Sequence, residues 1–259
     1  MIYKKIGLFI ACTCFASSLF AQKSSFFVRA TSGYHAAVDE TNFGDYQTAN
    51  NNWRNSIIQT GAGIPIGIGL GYMLTNNLGI EVSNQFIAGQ KVNIYTNALR
   101  EDYSETRDIK FDVMHLIPSV LISTNGKCAF YIKAGVVLPI LSNTKLYSQE
   151  TLTTGEVSST TYDIKNKFIV GINGAVGLKI QIRNKLSFIA EIEEINIISK
   201  FDTGELIAKT GDPIFLDTRN NITYVENYSG SPSDNKDISN ALSLRNAGIN
   251  IGFLYNFNR

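Results

Sequence analysis

The chain reads as an all-β protein, an eight-stranded antiparallel transmembrane β-barrel, and three observations lead there. Residues 61–74, GAGIPIGIGLGYML, alternate with period two, and the face opposite the large side chains is almost all glycine. Seven further segments alternate as well, two of them with an apparent change of phase. The connections alternate in turn, tight Asn/Gly turns at one end and long polar stretches at the other. Period two is strand geometry, because successive side chains leave a strand on opposite faces. A strand over a water-soluble core would carry polar groups on its second face. A narrow closed barrel in lipid instead needs bulk outside and small or interlocking side chains inside.

The first segment, residues 25–37, sets Phe26, Val28, Ala30 and Tyr34 against Arg29, Thr31, Gly33 and His35. In the second, Ile64, Ile66, Ile68, Leu70, Tyr72 and Leu74 oppose Gly63, Pro65, Gly67, Gly69, Gly71 and Met73. Residues 78–89 place Leu78, Ile80, Val82 and Phe86 against Gly79, Glu81, Ser83 and Gln85. The fourth, 107–122, changes phase near His115. The fifth, 128–140, sets Phe130, Ile132, Ala134, Val136, Leu138 and Ile140 against Tyr131, Lys133, Gly135 and Pro139. In 166–182, Phe168, Val170, Ile172, Val176, Leu178, Ile180 and Ile182 oppose Gly171, Asn173, Gly177, Lys179 and Gln181. The seventh, 186–199, passes from Leu186, Phe188, Ala190 and Ile192 to Ile195 and Ile197, a second change of phase. The last sets Ile249, Ile251, Phe253, Tyr255 and Phe257 against Gly248, Asn250, Gly252 and Asn256. A β-bulge in the fourth and seventh strands would account for the slips.

Thr75-Asn76-Asn77, Thr124-Asn125-Gly126-Lys127 and Arg183-Asn184-Lys185 are hairpin turns. The other connections, around 38–60, 95–107, 142–165 and 200–240, are polar and long. In a membrane barrel the tight turns are periplasmic and the long loops extracellular. Asn50–Asn52 and SGSPSDN at 229–235 mark loop tips. Tyr34, Tyr72, Tyr255 and Phe257 end the apolar face with aromatic rings, as at a membrane interface.

Residues 1–21 are expected to be a secretory signal peptide. Lys4 and Lys5 precede the apolar run IGLFIACTCFASSLF, and cleavage falls after Ala21, leaving 22–259 as the barrel domain. Acylation at Cys12 is the alternative, with a very short apolar region before it. Cys12 and Cys14 leave with the signal, so Cys128 has no intramolecular partner. Removing Lys4 and Lys5 leaves 21 basic residues against 22 acidic ones, a charge that cannot hold a phosphate backbone; no nucleic-acid partner is expected.

The FAQ exit, GYMLTNNLGIEVSNQF and the C-terminal INIGFLYNF resemble the small outer-membrane barrel proteins of the PorT-like and OmpX/OmpA-like group. The likeness runs the length of the mature chain and rests on pattern. It implies a cell outer-membrane location and outer-membrane lipid as the surroundings, with roles in that group ranging from adhesion and envelope structure to secretion-accessory work. Such proteins usually end on an aromatic residue, whereas here Asn258 and Arg259 follow Phe257.

His35 and His115 are the two histidines, and neither lies in a recognisable nucleophile context. They read as structural, with Asp39 near His35 the one partner for a base. DETNFGD (39–45) and SDNKD (233–237) could offer oxygen ligands to Ca²⁺, but neither has the spacing of a calcium loop. Pro65, Pro118 and Pro139 should fall at bulges or strand ends. The informative set is six charges in the lumen phase, Arg29, Glu81, Lys133, Lys179, Glu191 and Glu193. Three cations and three carboxylates can neutralise one another and plug the interior. The expected function is therefore non-enzymatic, with no cofactor or metal. It is a monomeric closed barrel meeting a surface ligand or envelope protein through 38–60, 142–165 and 200–240. The alternative is a narrow channel, or a lateral route for small hydrophobic solutes.

Overall fold

The structure is a computed structural model that describes residues 25–47, 53–100, 103–214, 216–225, 235–238 and 241–257. The segment read as a signal peptide, the Asn50–Asn52 tip and all of the 229–235 tip except Asn235 lie outside the described residues.

The described chain is all β. Its strands are β1 Ser25–Ala37, β2 Thr41–Gln47, β3 Trp53–Ile58, β4 Gly63–Met73, β5 Leu78–Arg100, β6 Tyr103–Ser123, β7 Cys128–Leu152, β8 Val157–Gln181, β9 Leu186–Thr210, β10 Asn221–Val225, β11 Lys236–Ile238, β12 Ala241–Ser243 and β13 Asn246–Asn256. Eight of them, in the order β1, β4, β5, β6, β7, β8, β9 and β13, pair antiparallel in a closed ring. Tracing register partners from Ser25 through Met73, Gly79, Leu121, Lys133, Ala175, Glu193 and Gly248 returns to β1 at His35, ten residues farther along. That stagger is what closure of a twisted sheet requires: the strands tilt, and the ring has no open edge.

The three tight turns share one end of the ring. Thr75 Oγ1 accepts from the backbone N–H groups of Asn77 and Leu78, at 3.1 and 2.9 Å. Asn77 donates to Ser123 O at 2.7 Å, tying one turn to its neighbour, and Gly126 supplies a φ of 119° that other residues rarely adopt.

Two of the connections expected to be long loops are strand. β5 runs to Arg100 and β6 resumes at Tyr103; β7 runs to Leu152 and β8 resumes at Val157, across a short turn with Gly155 at φ 87°. The polarity of TKLYSQETL and VSSTTYDIK marks contact with water, not loss of pairing. Their Thr and Tyr residues keep a high strand propensity, and the register continues through Tyr147↔Thr161 and Gln149↔Ser159. Of the others, 38–60 carries the β2–β3 hairpin, and 200–240 carries the end of β9 with β10 and β11.

The bulges expected in 107–122 and 186–199 lie instead on the neighbouring strands. β6 and β9 keep one phase, with odd-numbered residues inward from Ile109 to Ser123 and from Ser187 to Phe201. The extra residues are Ile140 in β7, opposite Met114/His115, and one in β8 between Ile169 and Ile172. At each, two consecutive side chains face outward, Ile140 with Leu141 and Ile169 with Val170. What inverts along β6 and β9 is the polarity of the interior, not the direction of the side chains.

That interior has three layers. At the turn end Phe27, Leu121, Tyr131, Ile189 and Leu254 pack together, with Met73 against them. At the loop end a larger apolar core joins ring residues such as Phe111, Ile117, Ile195 and Ile197 to Ile58, Ile222 and Leu242 from the flanking strands. A polar layer lies between the two. Glycine on the inner wall makes room for these fillings: a Cβ on Gly71 would collide with the Phe27 ring, and one on Gly177 with the Tyr131 ring.

Candidate functional site

The polar layer is built around five charged residues whose alternation turns them inward on four different strands. Arg29 comes from β1, Glu81 from β5, Lys133 from β7, and Glu191 and Glu193 from β9, and all five are buried. Arg29 Nη2 donates to Glu191 Oε1 at 2.5 Å, while Nη1 lies 3.5 Å from Glu81 Oε2. Lys133 Nζ stands 3.4 Å from Glu193 and 3.8 Å from both Glu81 and Glu191. Gly69 leaves the space for the Arg29–Glu81 pair, since an added Cβ would sit 3.0 Å from Arg29 Cγ and 3.1 Å from Glu81 Oε1.

Neutral donors complete two of the three carboxylates, while Glu81 is met, among the described residues, only by the charges of Arg29 and Lys133. Tyr131 donates to Glu191 at 2.9 Å, and the amides of Gln85, Asn173 and Asn250 donate to Glu193 at 2.8, 2.8 and 2.6 Å. A buried carboxylate without such partners would carry an uncompensated desolvation cost. These residues were legible as polar positions in the lumen phase, but only the ring's stagger shows that they share one depth.

Of the six charges singled out in the sequence, the structure brings five together. Lys179 is placed a layer nearer the turns, half-buried on the wall of a small void beside Arg29, Glu81 and Tyr131. His35 stands in the layer itself, its Nε2 3.7 Å from Glu193 Oε2. Its Nδ1 faces Asn246 Oδ1 at 2.7 Å and its Nε2 faces Asn250 Oδ1 at 3.2 Å. The nitrogens of both amides are engaged elsewhere, Asn246 with Leu244 O and Asn250 with Glu193, so both oxygens are left to accept from the ring. Both ring nitrogens of His35 are thus held by side-chain oxygens inside the layer. The same bonds leave it no free nitrogen to serve a nucleophile. His115, also buried, has no protein hydrogen-bond partner on either ring nitrogen among the described residues.

The void enclosed by Arg29, Ser83, Lys133, Glu191 and Glu193 is about 10 Å³, scarcely room for one water.

The loop end has its own polar framework. Arg219 grips Asp217 through Nε and Nη2, the shortest contact being 2.6 Å, and its Nη1 donates to Lys236 O at 3.1 Å. Burial alone would raise the Asp217 carboxyl, but the hydrogen bonds and charge of Arg219 outweigh it and hold the group below its usual range. Burial, with Asp217 nearby, raises the Tyr162 hydroxyl, which donates to Arg219 O at 2.8 Å. Asp39, in the first acidic stretch, is engaged by Arg245 at 3.3 Å and by the Ser243 hydroxyl at 2.9 Å. Asp237, in the second, lies 3.7 Å from Arg219. Cys128 is a free, exposed thiol at the start of β7.

The model of one protein family, described as outer membrane protein beta-barrel domain, matches residues 8–257. Solved structures to which the chain is similar include Neisserial surface protein A, at 12% identity, with 90% of this chain and 99% of that one covered and a TM-score of 0.40. The outer membrane protein OprG from Pseudomonas aeruginosa is similar at 14% identity, with coverages of 92% and 98% and a TM-score of 0.48. Ail of Yersinia pestis is similar at 11% identity, with coverages of 90% and 97% and a TM-score of 0.33. No curated protein matches the chain.

Proposed function

Given that the chain belongs to the outer membrane protein beta-barrel domain family and resides in the cell outer membrane, we propose that it is a membrane-spanning barrel with a closed lumen, without enzymatic activity, that displays its loop end for interaction at the cell surface. Residues 22–259 form the working domain in this reading, once 1–21 are removed. The observation that carries it is the filling of the interior: a buried ion layer is capped by one apolar cluster at the turn end and a larger one at the loop end. An ion moving along the axis would have to cross both apolar layers without its hydration shell.

The outer face supports the spanning role. Around the turn-end half it is a continuous apolar belt, with Ile68, Leu70, Val176, Ile192 and Ile249 all more than half exposed. Soluble proteins rarely leave so large an apolar surface bare. A tilted strand of about 9–11 residues crosses a bilayer, and β7, β8 and β9 have 25 residues each. The excess is a polar-surfaced wall standing outside the membrane, joined there by β2, β3, β10 and β11. Its task is adhesion, envelope structure or an accessory role in secretion.

The deciding measurement is conductance of the purified chain in planar bilayers. The closed-lumen reading expects no stable steps above the empty bilayer, together with protease cleavage on intact cells confined to the 200–240 region and the turns of the loop end. Steady conductance with ion selectivity altered by Lys133→Gln would replace it with the channel reading.

A further inference from the structure

The widest break in the pairing of the ring lies in the seam between β7 and β8. β7 and β8 pair from Cys128↔Ile180 to Val137↔Gly171, then again from Thr144↔Ile164 to Thr151↔Val157, in the same register. Between these stretches, residues 138–143 and 165–170 form no ladder pair with one another, although each is paired to its other neighbour. Both bulges of the apolar belt fall in this gap. The side chains lining it from outside divide sharply: Ile140, Leu141, Ile169 and Val170 below, Asn143, Lys145, Lys165 and Lys167 above.

Two of the cations above the seam make no ion pair within the described residues, although Asp163 stands opposite Lys145 in the β7–β8 ladder. Lys91 stands opposite Lys110, and Lys110 opposite Lys145, a row of like charges on adjacent strands that destabilises a sheet when nothing neutralises it. Lys91 is paired with Asp108 at 2.6 Å, Lys110 with Asp112 at 3.0 Å and Lys167 with Asp202 at 2.6 Å. Lys145 and Lys165 have no ion-pair partner among the described residues. Across the seam itself, Asn166 Nδ2 reaches Thr144 Oγ1 at 2.5 Å and Ser142 Oγ at 3.4 Å, leaving the backbone groups beneath unserved by a facing strand. Unpaired backbone in hydrocarbon is costly, so the seam needs either contact with polar head groups or a permanent occupant.

We propose that the β7–β8 seam binds a phosphorylated glycolipid of the outer leaflet, one acyl chain lying in the groove between Leu141 and Ile169 and a phosphate held by Lys145, Lys165 and Lys167. The division of the seam into an apolar lower half and a cationic upper half matches an anionic amphiphile; Lys145 and Lys165 supply the charge complement, and Lys167 joins them by exchanging Asp202 for the phosphate. The head group's hydroxyl and phosphate oxygens also offer acceptors to the exposed N–H groups at the top of the gap. This rests on the reading that the apolar belt faces lipid.

The test uses the full folded chain in neutral detergent with bis-phosphorylated lipid A as the probe, retention being measured by native mass spectrometry after repurification. Flotation with phosphatidylcholine vesicles lacking lipid A checks the belt separately. Replacing Lys145, Lys165 and Lys167 by Gln should weaken retention by about fivefold per lysine, as should removal of the phosphates from the probe. Leu141→Ser with Ile169→Ser should weaken it with the phosphates intact. These side chains lie on the outer face, all exposed except the half-buried Lys145, so the folded band on an unheated gel should persist in every variant. Equal retention by wild type and the triple lysine variant would overturn the site. So would equal retention of dephosphorylated lipid A, or its displacement by a simple alkane; the seam would then be a port for apolar solutes. Failure to float with lipid A-free vesicles would instead overturn the belt.

Discussion

The two halves of this ring use one backbone pattern with opposite chemistry. Near the turns, large apolar residues face outward and charges face inward, as Ile192 and Glu191 do on β9. Near the loops the same strand turns Ile195, Ile197 and Phe201 inward, as a water-soluble protein would. Alternation therefore reports strand geometry everywhere, while the side on which the apolar residues lie reports the solvent outside the wall. Where the solvent changes, a strand must either invert the polarity of its two faces or slip its phase. β6 and β9 invert; β7 and β8 slip, by one bulged residue each.

The largest expected effect comes from the ion layer, where the turn-end half departs furthest from a soluble protein. Glu191→Gln leaves Arg29 and Lys133 facing one carboxylate fewer in a space with almost no water. Breaking such a buried pair costs about 3–5 kcal/mol, seen as a lower temperature for loss of the folded band. Glu191→Gln combined with Arg29→Met should recover part of that loss, because the cation that Glu191 served most closely leaves with it. If the single variant unfolds at the wild-type temperature, the layer is hydrated and the plug reading fails.

This comparison also explains what could and could not be read from the chain. The eight ring strands and the three tight turns were legible, since each depends on residues adjacent in sequence. The inward charges were legible as a phase, and five of them meet. Lys179 was grouped with them because phase gives the face and not the depth; depth is set by the ten-residue stagger, a property of the closed ring. His35 was missed as a member of the layer for the same reason, since its partners Asn246 and Asn250 lie on the far end of the chain. The bulges were assigned to β6 and β9 because an apolar residue switching parity looks the same whether the backbone slips or the surroundings change. Polar strand was taken for loop in 95–107 and 142–165 because composition records water and not hydrogen bonding.

A smaller effect sharpens the contrast between the outer faces. Ile192 and Gln149 both point outward, one in the apolar belt and one on the loop-end wall. Lys at position 192 should cost about 2–4 kcal/mol, the usual charge of placing a cation at mid-membrane on a barrel wall. Lys at position 149 should change stability by no more than about 0.5 kcal/mol, as for an ordinary surface site. Urea titration in lipid vesicles reads both. Equal costs would mean that the two faces meet the same solvent, and the halves would no longer differ.

The smallest effect belongs to the loop end and depends on pH. The Asp217 carboxyl is held below its usual range by Arg219, so its ionised form is favoured by folding. The sign follows: this contribution is complete above the unfolded value of about 3.9 and is lost as pH falls through the lower folded value. Asp217 is partly exposed, so the pair contributes at most about 1 kcal/mol after solvent screening. What is lost on acidification is local, because Asp217 and Arg219 fasten the 216–225 segment to Tyr162 on β8 and to Lys236 and Asp237 on β11. Hydrogen exchange in 216–225, corrected for the intrinsic pH dependence, should therefore speed up below about pH 4 while the ring strands are unchanged. Asp217→Asn should show the faster exchange already at neutral pH and no further acid step from this pair. An acid step of the same size in both proteins would assign it to another carboxylate and remove Asp217 as the clasp of the loop end.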